Sequence, residues 1–176
     1  RNAGQISELH SGTHSGNLYD INIDTERYEL YAKNGFVFND EPYTSMGLIL
    51  NGQYQNQNSL FGLRPYDSKL RSFYSKLIFE AKTADEVHAI TLGGSYVFDQ
   101  YEEEYNGIDF FRKESRPGIF AEYNYSPIPQ LAVVPGVRVD FHNLYGTFFT
   151  PRLHVKYGID DNTTLRISGG KGYRSV

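Results

Sequence analysis

The 176-residue sequence contains no cysteine and no tryptophan, and it has no long apolar run. Without cysteine, the chain can form no disulfide framework, no cysteine-ligated zinc site and no thiol nucleophile. No segment approaches the roughly 18 consecutive apolar residues of a membrane-spanning helix, so a helical span is excluded. The net charge of −4 gives no electrostatic reason to expect a nucleic-acid partner.

Tyrosine, phenylalanine and glycine are abundant, with 15, 12 and 17 residues, and yet the mean hydropathy is negative. A membrane β-barrel can have this composition because its lipid-facing and lumen-facing residues alternate along each strand, so that their hydropathies cancel in the average. The length is sufficient for one domain with a sizeable core. Composition alone therefore leaves both a soluble β-sheet protein and a membrane β-barrel open.

Apolar and polar residues alternate along most of the chain, and helical periodicity is hard to find. The clearest example is "TPRLHVKYGIDDNTTLRISGGKGYRS", which begins at Thr150. We predict an all-β fold, an antiparallel up-and-down meander of about eight long strands over residues 21–176. Residues 1–20 are polar and rich in Gly, Ser and Asn, and they predict a loop or ragged N-terminal segment.

The predicted connections differ in length between the two ends of the strands. Short turns are expected at "NDEPY", "TADE", "PIPQ" and "GIDDN", and long loops at "NSLFGLRPYDSKL" and "YEEEYNGIDFFRKES". Membrane barrels have short turns at one rim and longer loops at the other. The predicted strands of about 10–13 residues also suit a tilted membrane crossing better than the usual globular strand of about 5–6 residues.

If the strands cross a membrane, their apolar side chains face lipid and their charged side chains face the lumen. A charged side chain on the lipid side would cost about 2–4 kcal/mol near the midplane. The residues predicted to face the lumen or a plug are Arg138, Asp140, His142, Arg152, His154, Lys156 and Arg166. They could dock a plug, or they could form a self-satisfied ladder with pairs such as Asp140 with Arg152.

Four stretches, "FGLRPYDSKLRSFYSKLIF", "RPGIFAEY", "VVPGVRVDFHNLYG" and "FFTPRLHVKYGIDDNTTLRISGGKGYRS", resemble TonB-dependent outer-membrane receptors, particularly those of the Bacteroidetes type. The "GKGYR" run is the most specific part, and the resemblance covers most of residues 27–176. It implies a 22-stranded barrel in the Gram-negative outer membrane that takes up a scarce nutrient such as siderophore-iron, cobalamin or haem. The implied partners are outer-membrane lipid, the nutrient, the receptor's own plug and remaining strands, and an energising TonB complex of the inner membrane.

The chain departs from the full family pattern at both ends. It starts at Arg1 without a signal segment, shows no plug and no energy-coupling box, and stops at Val176 inside a strand-like pattern. We therefore expect a partial barrel segment of a larger transporter, with TonB contacted through an N-terminal part that this sequence lacks.

No pattern predicts an enzyme, a cofactor or a metal site, since neither a nucleophile elbow nor a zinc-protease motif occurs. His10 and His14 lie in a segment without helical pattern, and Glu102, Glu103 and Glu104 are better explained as a solvated loop than as a cation site. In the family that the sequence resembles, extracellular loops and the upper lumen contact the ligand. Candidate positions, whose Arg and Tyr side chains would suit an anionic chelate, are Arg64, Tyr66, Tyr101, Tyr105 and Tyr145.

Two other functions remain open from the sequence. One is a complete eight-stranded outer-membrane barrel of structural or adhesive type, with an interior filled by side chains. The other is a soluble lipocalin-like barrel, in which the apolar face would line the interior. The deciding observation is the side on which Leu153, Val155, Leu165 and Ile167 lie.

Overall fold

The computed structural model describes residues 2–4, 20–38, 43–160 and 162–173. The described chain forms one nine-stranded sheet in which the strands follow one another in sequence order, so the predicted meander is confirmed. The strands are β1 (Asn2–Gly4), β2 (Asp20–Val37), β3 (Thr44–Phe61), β4 (Arg64–Lys82), β5 (His88–Tyr105), β6 (Ile108–Ile128), β7 (Leu131–His142), β8 (Gly146–Gly158) and β9 (Thr164–Gly170). Among the described residues there is no helix long and apolar enough to cross a membrane.

The short strand β1 lies in the segment that the sequence predicted as a loop. Asn2 to Gly4 pair antiparallel with Asn22 to Asp20 of β2. Residues 5–19, including His10 and His14, lie outside the described residues. The predicted turn at "NDEPY" also lies largely outside them, because residues 39–42 are not described.

The two predicted long loops are wrong, since both segments are hairpins with two-residue turns. Strand β5 continues to Tyr105 and β6 begins at Ile108, and between them Asn106 and Gly107 have φ angles of 52° and 79°. Two consecutive residues with positive φ form the type I′ turn, whose twist matches that of paired strands. Gly62, with φ of 65°, begins the equally short turn from β3 to β4. Pairing therefore continues to the turns, and β3 to β6 have 18 to 21 residues each.

Burial in this sheet is the reverse of that in a globular sheet. No described apolar residue is buried, whereas Ser59, Ser95, Asp140 and His142 are. Large apolar side chains along the strands are exposed instead, including those in the segment that the sequence analysis singled out. Leu153 is 46% exposed, Leu165 49% and Ile167 60%, and Val155 is half-buried. An apolar interior of the lipocalin type is therefore not present in the described part of the chain.

The chain divides into two compact units. One consists of Arg1–Leu30, Asn51–Phe73 and Phe98–Glu114, and contains the ends of the β3–β4 and β5–β6 hairpins with their tight turns. The other consists of Tyr31–Leu50, Tyr74–Val97 and Ser115–Val176, and contains β7, β8 and β9 in full. We call them the hairpin unit and the sheet unit.

Candidate functional site

The charged residues predicted to face a lumen lie on one face of the sheet unit. Residues that are directly opposite in paired strands point to the same side. Arg152 is opposite Gly136 of β7 and Gly170 of β9, and Lys156 is opposite Ala132 and Arg166. His154 is opposite Ser168 on β9. Gly136 is opposite Arg152, and side chains alternate along a strand, so the even-numbered residues of β7, Arg138, Asp140 and His142, point to the same side as Arg152. We call it the polar face.

Arg138 and Asp140 form the central ion pair of the polar face. The Nε and Nη2 atoms of Arg138 donate to the two carboxylate oxygens of Asp140 over 2.6 and 2.5 Å, and Nη2 also donates to Ser95 Oγ over 2.8 Å. Asp140 and Ser95 are buried, with exposed fractions of 9% and 8%. Two charge-assisted hydrogen bonds in a fork geometry are stronger than neutral ones and fix the orientation of both side chains.

A glycine on the neighbouring strand β6 provides the space for this pair. Gly118 of β6 is directly opposite Asp140. A Cβ atom at Gly118 would overlap the Asp140 carboxylate and would lie 2.8 Å from Arg138 Nη2. Gly93 of β5 leaves space for a different side chain, because a Cβ there would overlap the ring of Phe120 and approach Leu77 O to 2.5 Å. Interior strand glycines commonly mark such close approaches.

The predicted pair between Asp140 and Arg152 is wrong. Arg152 instead donates to Glu122, and Asp140 is held by Arg138. The register explains the difference, since Gly136 on β7 is opposite both Glu122 on β6 and Arg152 on β8. A Cβ at Gly136 would lie 2.8 Å from Arg152 Nε, so its absence lets the guanidinium extend across β7 to the next strand.

A partly open cavity of about 380 Å³ lies at the end of the polar face next to the turn at residues 143–145. Its lining includes the Arg138–Asp140 pair and His142, with Arg116 from β6. The ring of Phe148 completes a wall with that of Tyr173, their centroids being 4.7 Å apart. Cations and aromatic rings thus meet in one concave space, and pockets for small ligands are typically built in this way.

The hairpin unit contains four of the five predicted ligand contacts, of which three lie in two hydrogen-bonded pairs and the fourth, Tyr101, in a cation–π contact. Arg64 Nη1 donates to the hydroxyl of Tyr105 over 3.4 Å, and the Tyr66 hydroxyl donates to Glu103 Oε1 over 2.7 Å. The Tyr101 ring lies under the guanidinium of Arg112, 4.6 Å from the centroid. The sequence analysis placed these four candidates in loops, and this placement is wrong, because all four lie on strands β4 and β5.

The fifth candidate, Tyr145, belongs to the sheet unit, where its ring centroid is 4.7 Å from that of His142. Tyr145 lies in the turn between β7 and β8, as the sequence predicted.

Sequence reasoning missed the residues that arrange the polar face, namely Ser95, Arg116, Glu122 and the three glycines 93, 118 and 136. The glycines gave a usable signal, because each interrupts an otherwise regular strand pattern. The acidic residues Glu102, Glu103 and Glu104 lie on β5 next to Asp109 in a surface cleft. Within the described residues, no group of three His, Asp or Glu side chains has an arrangement that could hold a metal ion.

Comparison with known proteins gives a consistent result. The family described as TonB dependent receptor-like, beta-barrel matches residues 3–176. The chain is 32% identical over 57 residues to the ferrienterobactin receptor of Escherichia coli (strain K12), a match that covers 32% of this chain and 8% of that protein.

Two solved structures share the fold. The alcaligin outer-membrane receptor FauA from Bordetella pertussis superimposes with a TM-score of 0.70 over 85% of this chain, at 14% identity. The siderophore receptor PirA from Pseudomonas aeruginosa gives 0.60 over 84%, at 13% identity. The chain spans only 29% and 26% of these two receptors.

Proposed function

The chain belongs to the TonB-dependent receptor-like β-barrel family, and from that membership we propose that it forms part of the barrel wall of an outer-membrane transporter for a siderophore-bound metal. The match of residues 3–176 to the family supports this proposal. The siderophore class is favoured because PirA is described as a siderophore receptor, and the two other relatives are described as a ferrienterobactin receptor and an alcaligin receptor. The chain would act with further strands and a plug, since it spans under a third of the solved receptors.

The observation that carries the proposal is the reversed burial of the sheet. A water-facing sheet buries its apolar side, whereas here the apolar side chains are exposed and the polar ones are buried. The geometry fits a bilayer. Leu131 and Phe141 are the first and last residues on the apolar side of β7. They are ten residues apart, which corresponds to about 33 Å along a strand. With a tilt of about 40° this becomes roughly 25 Å, the height of the apolar band of an outer-membrane barrel.

The polar face would line the lumen in this proposal. Its ion pairs are largely satisfied within the sheet, as in Arg138 with Asp140 and Arg152 with Glu122. This favours a pre-organised lumen wall, against which a plug could dock through side chains that remain exposed, such as His154, Lys156 and Arg166. Energy from the inner-membrane TonB complex would reach the plug, not this chain directly.

A complete small barrel is the second candidate, and the sheet order disfavours it. The described sheet begins at β1 and ends at β9, without a pairing that joins the two. A closed eight-stranded barrel has no such edge strands.

Uptake by the intact receptor tests the proposal. The receptor containing this chain would be expressed in a Gram-negative host that lacks its own siderophore receptors, and accumulation of radioactive iron would be followed with hydroxamate and catecholate chelates. We expect uptake of at least one ferric chelate, and loss of that uptake in a host without TonB. Absence of ferric-chelate uptake, or uptake that persists without TonB, would refute the proposal. Uptake of cobalamin or haem alone would leave a transporter but refute the siderophore class.

A further inference from the structure

His142 is the most buried ionisable side chain among the described residues, with an exposed fraction of 5%. It is the last residue of β7 and directly precedes the turn at residues 143–145. The Leu144 N–H donates to His142 Nδ1 over 3.1 Å. A ring nitrogen accepts a hydrogen bond only while it carries no proton. This turn therefore requires a neutral imidazole, with its proton on Nε2.

The two halves of the turn are held in different ways. The Asn143 N–H donates to Ser115 O over 3.1 Å, and Asn143 Oδ1 accepts from the Ser115 N–H over 2.9 Å. Neither of these bonds involves an ionisable group. Leu144 and Tyr145 are held by contacts with His142 instead, through the hydrogen bond to Leu144 and the ring of Tyr145, whose centroid is 4.7 Å from that of His142. The second half of the turn thus depends on the protonation state of one imidazole.

Cations predominate around His142. The charged and titratable groups that line the cavity or lie beside it are Arg116, Arg138, Asp140, Lys171, Tyr145 and Tyr173. Glu114, on the same side of β6 as Arg116, is 3.0 Å from Arg112. Both carboxylate oxygens of Asp140 accept from Arg138. The one carboxylate in the lining is therefore already engaged.

Arg116 is directly across the sheet from His142. Gly118 of β6 is opposite Asp140, and two more residues along both strands lead to Arg116 and His142. The bond from the Asn143 N–H to Ser115 O continues the same register. Like charges directly opposite in antiparallel strands are destabilising. A proton on His142 would therefore remove the acceptor for Leu144 and place a second cation opposite Arg116.

We propose that the β7–β8 turn is an acid-sensitive element of the barrel wall, in which protonation of His142 releases Leu144 and Tyr145 and opens the end of the cavity. Asn143 keeps its bonds to Ser115 and acts as the fixed point. Imidazole side chains change charge between about pH 5 and 8, so the turn is ordered at the upper end of this range and mobile at the lower end. The inference goes beyond the proposed transport function, since it concerns the turn and holds for any ligand.

A spin label at position 144, introduced as a single cysteine in the intact receptor in lipid vesicles, would report the mobility of the turn. Leu144 is 51% exposed, and the label leaves its backbone N–H in place. Spectra would be recorded at about pH 8 and about pH 5 for the labelled parent and for His142→Asn, His142→Phe and His154→Gln. Thermal unfolding would confirm that each variant is folded.

The variants separate the acceptor from the charge. In His142→Asn, the side-chain oxygen can accept from the backbone N–H two residues on, as asparagine commonly does in turns, and it does not titrate. His142→Phe keeps an aromatic ring but has no acceptor. His154→Gln is the control, because His154 is exposed and bonds to Ser168 at 2.9 Å, away from the cavity lining.

In the labelled parent, we expect the ratio of mobile to ordered label to rise at least about fivefold from the higher to the lower pH, which corresponds to the loss of one hydrogen bond. His154→Gln should show the same rise. His142→Asn should stay ordered at both pH values, and His142→Phe should be mobile at both. A parent spectrum that does not change with pH, a rise that persists in His142→Asn, or an ordered label in His142→Phe would overturn the proposal.

The outcome is separate from that of the uptake experiment. If the receptor transports a ferric chelate but the label does not respond to pH, the inference fails alone. If the label responds through His142 but no chelate is transported, the transport function fails and the acid-sensitive turn stands.

Discussion

Replacement of Gly118 by alanine should destabilise the receptor, although alanine normally favours folding over glycine. The new Cβ would overlap the Asp140 carboxylate and lie 2.8 Å from Arg138 Nη2, so the ion pair must open. Loss of one hydrogen bond to a charged group costs about 1.5–3 kcal/mol. Alanine also lowers the conformational entropy of the unfolded chain, which stabilises the folded state by about 0.4–1 kcal/mol relative to glycine. We therefore expect a net loss of roughly 1–2 kcal/mol.

Denaturant unfolding of the intact receptor in lipid vesicles would measure this loss. Gly94→Ala is a matched control, because a Cβ there meets only Gly118 O at an ordinary 3.7 Å. A double-mutant cycle with Asp140→Ala adds a sharper criterion. Once the carboxylate is absent, the Gly118→Ala change should cost much less, because contacting residues give non-additive effects. Unchanged stability of Gly118→Ala, or strict additivity with Asp140→Ala, would refute the account of how the pair is accommodated.

Two further predictions concern the turns. Gly107→Ala should lower the stability of the receptor by about 1 kcal/mol, because a φ of 79° is unfavourable for residues with a Cβ. Thermal melts would measure this loss. Gly52→Ala is the control and should not lower stability, because a Cβ at Gly52 meets nothing within 4 Å. Hydrogen bonds from the Thr83 hydroxyl and then the Val87 N–H hold the pKa of Asp85 below its ordinary 3.8. A depressed folded pKa gives stability that is present above pH 3.8 and is lost as the pH falls through the folded value. The stability difference between the wild type and Asp85→Asn should therefore shrink in acid, and a pH-independent difference would contradict this assignment.

The sequence predicted the strands better than their ends. Alternation alone located β7, β8 and β9 and assigned Arg138, Arg152 and Arg166 to one face, because a strand with one apolar side has a fixed period of two. Alternation does not reveal a strand where polar residues occupy both of its sides. For this reason the pattern around Glu102 to Glu104 indicates a long loop, although Asn106-Gly107 is a strong hairpin signal.

The ion pairs of the polar face could not be predicted from pattern alone. Asp140 pairs within its own strand and Arg152 extends past its neighbour to Glu122, and both outcomes depend on where glycines leave space in adjacent strands. Which strands are adjacent, and in which register, is a property of the folded sheet. The same holds for the cavity, since Arg116 and Tyr173 are far apart in sequence and come together only through β6 to β9.

The most direct test of the lipid-facing assignment is a site-directed spin-label scan along β8 in the intact receptor, reconstituted in lipid vesicles. This chain has no cysteine of its own, so single cysteines can be introduced and labelled one at a time from residue 148 to residue 157. Collisions with oxygen report exposure to lipid, and collisions with a water-soluble nickel complex report exposure to water. We predict high oxygen accessibility at positions 149, 151, 153, 155 and 157, and low oxygen accessibility at 148, 150, 152, 154 and 156. The opposite phase, or accessibility without a period of two, would contradict the placement of the apolar side against lipid.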